Sequence, residues 1–164
     1  MENWDRLFQS TKIPMTSFFP DLNVWLALSV AGHVHSKGAW DWFAQIPRTN
    51  KLVFARYTQI GLLRLLANES VMGQQTLTLR RAWAVYDRWL EDPRVEFYPE
   101  PRDLDSTFRE ATSSFAGKPA TKWVGDCYLL AYAKCTGSTL VTFDRGLHQL
   151  ARREHCDTII PGLS

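Results

Sequence analysis

The stretch Thr16-Ser17-Phe18-Phe19-Pro20-Asp21-Leu22, continued by apolar residues to Ala31, reads as a short strand that ends at an aspartate and turns at once into a helix. Asp21 is placed to cap that helix. The same grammar returns far along the chain. Thr139-Leu140-Val141-Thr142-Phe143 is an apolar strand, Asp144 follows it, and a short helix comes next. Two strand–aspartate–helix units in one chain predict a parallel sheet, because a parallel strand needs a crossover and a helix usually supplies it.

Between and around these units the pattern keeps alternating. Helical spacing covers about Ser36 to Gln45, with Trp40, Trp42 and Phe43, and Pro47 ends it. Lys51 to Ala55 reads as a strand, and Tyr57 to Ala67 as a helix with Ile60, Leu63, Leu66 and Ala67 on its apolar side. Thr76 to Leu90 reads as a helix with Leu79, Trp83, Tyr86 and Leu90 at helical spacing; Val95 to Tyr98 alternates as a strand does. Leu104 to Phe115 and Thr121 to Cys135 read as helices, the latter closed by Gly137, and Thr158 to Ile160 is a last strand. The fold class is therefore α/β, a central, mainly parallel sheet with helices on both faces. Residues 1–14 read as a loose N-terminal arm, and 15–164 as one domain.

Composition excludes several classes. Of 164 residues 45% are hydrophobic, which suits a packed globule rather than a disordered chain. No apolar run approaches the ~20 residues of a membrane span, and Met1 to Ser10 holds no apolar signal core. Cys127, Cys135 and Cys156 are odd in number and match neither a disulfide framework nor zinc-ligand spacing, so a reducing cytoplasm is expected. The net charge of +2 decides little, yet acids gathered in one site would leave a basic remainder suited to nucleic acid.

In a parallel sheet Asp21 and Asp144 share the edge formed by the strand carboxyl ends, where ligands bind. Asp126 stands near the start of the Thr121 helix, whose N-terminus points at that edge. Converging carboxylates need a neutralising partner, and hard divalent cations prefer such oxygens. Taken singly, each aspartate also reads as a helix cap, a turn residue or a structural ion-pair partner. Thr142 shares the strand face of Asp144 and is able to orient a water or phosphate. Asn23 supports Asp21 or the helix start.

Four segments carry a family likeness. Asp21-Leu22-Asn23-Val24-Trp25-Leu26-Ala27-Leu28 is like D-x-N-x-L-L-A-L, with His33, His35 and Ala39-Trp40 resembling a histidine-bearing entry to the second helix. Thr58-Gln59-Ile60-Gly61-Leu62-Leu63-Arg64-Leu65-Leu66 is like T-E-x-G-F-x-R-L-L. Trp123-Val124-Gly125-Asp126-Cys127-Tyr128-Leu129-Leu130-Ala131 is like W-x-x-D-A-Y-L-A-A, and Leu140-Val141-Thr142-Phe143-Asp144-Arg145-Gly146-Leu147 is like L-V-T-F-D-R-G-F. In this order they resemble the PIN-domain family, and within it the VapC-type toxins. The resemblance implies a three-layer α/β/α fold, Mg²⁺ or Mn²⁺, and endonucleolytic cleavage of RNA, often tRNA. It also implies a homodimer and a small antitoxin whose tail enters the active-site groove. By this likeness Asp21, Asp126 and Asp144 are the catalytic and metal-holding residues.

Gln59 departs from the pattern, since glutamate often stands there. A glutamine keeps a carbonyl donor and loses the charge. Two rival readings remain: a non-catalytic RNA- or partner-binding module, suggested by Gln59, and a phosphohydrolase with Asp21 as nucleophile. The second is weakened by Asn23, since such enzymes usually carry another aspartate there.

Overall fold

The computed structural model describes residues 16–163, so the expected arm at 1–14 lies outside the described residues. Five strands form one sheet: β1 (Ser17–Pro20), β2 (Lys51–Phe54), β3 (Val95–Phe97), β4 (Thr139–Val141) and β5 (Thr158–Ile159). Their order is β3-β2-β1-β4-β5, and every neighbouring pair is parallel. The helices are α1 (Leu22–Ser29), α2 (Ser36–Ala44), α3 (Arg56–Leu66), α4 (Glu69–Met72), α5 (Leu79–Leu90), α6 (Leu104–Ser113), α7 (Thr121–Thr136) and α8 (Arg145–Arg153), with a 3₁₀ turn at Gly73–Gln75.

Strand alternation sorts the core into two layers. Leu52, Phe54 and Val141 face one side, where Trp25, Ala39, Leu62 and Tyr86 bring in α1, α2, α3 and α5. Phe19, Val53 and Leu140 face the other, packed under α6, α7 and α8 through Leu104, Leu130 and Leu147. Trp25 stacks on Phe54 at 3.8 Å between ring centroids and anchors the first layer. The α/β/α expectation is met.

The sheet places the site. β1 is central; the chain runs outward from it to β2 and β3, then returns to lay β4 and β5 on its other side. The order therefore switches between β1 and β4, and a crevice opens beyond their carboxyl ends. Pro20 pairs with Val141, and the Asp21 amide continues the ladder by donating to the Val141 carbonyl at 2.8 Å. The glycine in the second motif has a packing reason. A Cβ on Gly61 would come within 2.6 Å of a Leu22 methyl, so glycine lets α3 lie against the first turn of α1 with Leu22 in its present rotamer.

Two expectations about faces fail. In α5 the inward residues are Ala82 and Tyr86, while Leu79 is 61% and Trp83 43% exposed. The helix is rotated so that half-buried Val85 and Trp89 share the inward stripe, and the Trp89 indole donates to the Ser29 hydroxyl at 2.9 Å. It also begins later than expected, with Thr78 as its cap. On α3 Ile60 is exposed, since the buried face is set by Thr58, Gln59, Leu62, Leu63 and Leu66. The short α4 and its 3₁₀ continuation carry no periodic signal and were not expected.

Candidate functional site

Asp21 ends β1 and caps α1. One carboxylate oxygen accepts the Val24 amide at 3.0 Å; the other accepts the Thr142 hydroxyl. The side chain is buried, and burial pushes its pKa up from 3.8 to about 6, with the Asp144 charge adding to the rise. Hydrogen bonds from Thr142 and from the Val24 and Asn23 amides work against that rise without cancelling it.

Thr142 joins the two turns. Its hydroxyl donates to Asp21 and accepts the Asp144 amide at 2.9 Å, and the residue is fully buried. Asp144 in turn caps α8: Oδ1 accepts the Gly146 amide at 2.7 Å and the Leu147 amide at 3.2 Å. The side chain itself is exposed. Like Asp21 it follows a strand, but it faces water where Asp21 does not.

Asp126 lies inside α7, past the first turn, and is half-buried. Burial raises its pKa, the nearby Asp144 charge raises it further, and Lys122 one turn earlier opposes both. Asp144 thus acts on both other carboxylates, and the three share one field at the switch point. As placed they form no closed cage: among the described residues no three His, Cys, Asp or Glu side chains stand together closely enough to hold one ion. The Asp21 oxygens and one Asp144 oxygen are turned to amides and a hydroxyl, whereas no hydrogen bond to the Asp126 carboxylate is formed among the described residues.

The supporting residues divide. Asn23 is exposed and contributes its backbone amide to Asp21. Gln59 is buried, but its carbonyl oxygen accepts from the Arg56 guanidinium and its side chain meets the Tyr86 hydroxyl. Its polar atoms are therefore engaged within α3 and with α5. His35 stacks on Phe143 at 4.3 Å and 11°, which sets the entry of α2 beside the residue preceding Asp144. Sequence reasoning did not foresee Tyr57, Phe115 and Trp123 around a cavity next to Asp126. The one available signal was the density of aromatic residues flanking the second and third motifs.

A family model described as PIN domain matches residues 18–153 of this chain. Ribonuclease VapC41 of Mycobacterium tuberculosis is 40% identical over 135 residues, 79% of this chain and 90% of that protein. The structure of VapBC2 from Rickettsia felis bound to a DNA fragment from their promoter superposes with a TM-score of 0.65 at 11% identity, covering 88% of this chain and 98% of the other. VapC20 of Mycobacterium tuberculosis, a sarcin–ricin-loop-cleaving toxin, superposes with a TM-score of 0.61 at 18% identity, covering 80% and 93%. The two structural likenesses concern the fold.

Proposed function

This chain belongs to the PIN-domain family, and from that premise we propose that it is a divalent-metal-dependent endoribonuclease, the toxin of a toxin–antitoxin pair. One observation carries the reading. Two strand-end aspartates are tied through a single threonine hydroxyl at the sheet's switch point, and a third carboxylate on α7 shares their field. The Asp144 charge raises the pKa of both Asp21 and Asp126, and carboxylates gathered in this way are donors that suit Mg²⁺ or Mn²⁺. Asp21, Asp126 and Asp144 would hold the ion. When bound, it supplies charge neutralisation and activation of water and phosphodiester.

The chain's own groups do the rest. Thr142 fixes the Asp21 carboxylate and the Asp144 backbone in one frame, so two sides of the site cannot drift apart. Asp126, lacking a hydrogen bond of its own among the described residues, is the group placed to receive a proton from the attacking water. In-line attack leaves a 5′-phosphate and a 3′-hydroxyl. The side chains that α3 and α5 leave in solvent, Ile60, Leu79 and Trp83, support a partner surface for the small antitoxin or a second copy. Cys127, Cys135 and Cys156 are all free thiols, in keeping with the reducing cytoplasm where RNA resides.

The test is cleavage of total cellular RNA, with tRNA and ribosomal RNA resolved, in Mg²⁺ or Mn²⁺ and in EDTA, with end mapping. Asp21→Asn, Asp126→Asn and Asp144→Asn should each lower metal-dependent cleavage by at least about 100-fold, more than loss of an outer supporting contact does. Full activity in all three would end this reading. RNA binding without cleavage in Mn²⁺ would replace it with a binding module whose site is degenerate at Gln59.

A further inference from the structure

We propose that the cavity beside Asp126 is a nucleobase subsite, in which an unpaired base of the RNA joins the Phe115–Trp123 stack while Lys118 and Lys122 take its phosphates. This rests on the ribonuclease reading and names the part of the substrate that the site grips.

The cavity holds about 960 Å³ and opens between the end of α6, the loop after it, the start of α7 and Tyr57 of α3. That is at the large end of small-molecule sites and ample for a nucleotide. The carboxylates do not line it, but two of its lining residues lead to them. Gly125, in its lining, immediately precedes Asp126, and a Cβ there would lie 2.5 Å from the Tyr57 hydroxyl. Glycine is what lets that phenol rest on the α7 backbone. Trp123 reaches the other way: a Cβ on Gly146, two residues after Asp144, would lie 3.9 Å from its ring. The indole therefore stands between the cavity and the Asp144 turn.

Phe115 and Trp123 are stacked, with centroids 5.2 Å apart and planes 11° from parallel. The Lys118 ammonium is 5.7 Å from the Phe115 centroid, and that of Lys122 is 5.4 Å from the Trp123 centroid. Among the described residues neither ammonium forms an ion pair. Cations at that distance over half-buried rings at the cavity wall are held weakly. An incoming base can take the ring face and release the lysine to its own phosphate. An aromatic pair flanked by unpaired cations is the chemistry of single-stranded nucleic acid binding; a base inside a duplex is already stacked on its neighbours and has no face to offer.

The experiment measures anisotropy of a short fluorescein-labelled single-stranded RNA in EDTA, where binding is read apart from cleavage, together with cleavage kinetics in Mn²⁺. Trp123→Ala should weaken binding about tenfold and raise KM with little change in kcat, while Trp123→Phe retains most of the affinity. Lys118→Ala combined with Lys122→Ala should weaken binding and flatten its salt dependence by roughly one to two phosphate contacts. Because Trp123 also packs on the core, Ala116→Phe provides a second arm. It fills the cavity from an exposed position and should reproduce the loss. If wild-type protein cleaves while folded Trp123→Ala and Ala116→Phe bind and cleave as it does, the subsite is wrong and the nuclease stands. Loss of antitoxin binding with RNA affinity intact would overturn it equally. If wild-type protein neither binds nor cleaves RNA, the nuclease reading falls with it.

Discussion

The β1–α1 turn and the β4–α8 turn are built alike, yet the two aspartates in them live in different media. Asp21 is 3% exposed, with both carboxylate oxygens engaged, and its pKa stands near 6. Asp144 is exposed and spends one oxygen on two helix amides. The difference teaches that an N-cap geometry does not fix a residue's electrostatic role; position in the sheet does. Asp21 follows the central strand and is covered by helices, whereas Asp144 stands on the open side of the same switch point. One is a buried carboxylate held at a desolvation cost, and the other is an exposed carboxylate whose charge bears on its neighbours.

The most severe way to break this contrast is to remove the charges. Asp21→Asn and Asp144→Asn should each lose cleavage by at least about 100-fold, and the first should also change the stability of the metal-free fold. The folded pKa of Asp21 lies above its ordinary value, so its contribution is present in full below pH 4 and is lost as pH rises through about 6. Asp21→Asn, which still caps α1, should therefore stabilise the protein in EDTA at pH 7 by up to about 3 kcal/mol, and the gain should vanish at pH 4. Urea denaturation at the two pH values checks it; an equal effect at both would show that the carboxylate is not paying a burial cost.

Thr142→Val cuts the link between the turns. It leaves an Asp21 oxygen and the Asp144 amide without their partner, which costs about 1–3 kcal/mol, and cleavage should fall about tenfold. Thr142→Ser should restore both, as a test of the hydroxyl rather than of the packing. Smaller still in stability, Asp144→Ala removes the cap of α8 and should cost about 1 kcal/mol, read by urea denaturation. The smallest effect belongs to Gln59→Glu. The Arg56 guanidinium already faces that side chain, so the new charge meets an opposite one beside it rather than adding freely to the site. The Mn²⁺ concentration for half-maximal activity should move by less than about fivefold. A large improvement would mean that residue 59 contributes a charge to the metal site in spite of Arg56.

The two turns were legible because each is a local pattern, an apolar strand followed by a capping residue and a helix. Asp126 stood out for a different reason: it is a charge in a run of apolar and small neighbours. The partnership through Thr142 was not legible. It depends on β1 and β4 being adjacent, and no short window of sequence records which strands are neighbours. The rotation of α5 was missed for a related reason. Large apolar residues were assumed to face inward, but Ala82 gives the closer approach and leaves Leu79 and Trp83 in solvent. The motif position of Gln59 suggests a ligand; its buried carbonyl is instead taken up by Arg56 three residues earlier, a pairing that the motif conceals.

The hydroxyl bridge spans residues 121 positions apart. Contacts of that separation are made only after the chain between them has been ordered, and on the ribosome the N-terminal partner emerges long before the other. A half-made chain therefore carries Asp21 without the strand that completes its surroundings. The link between the two aspartate turns is made only once β4 has been synthesised and laid beside β1.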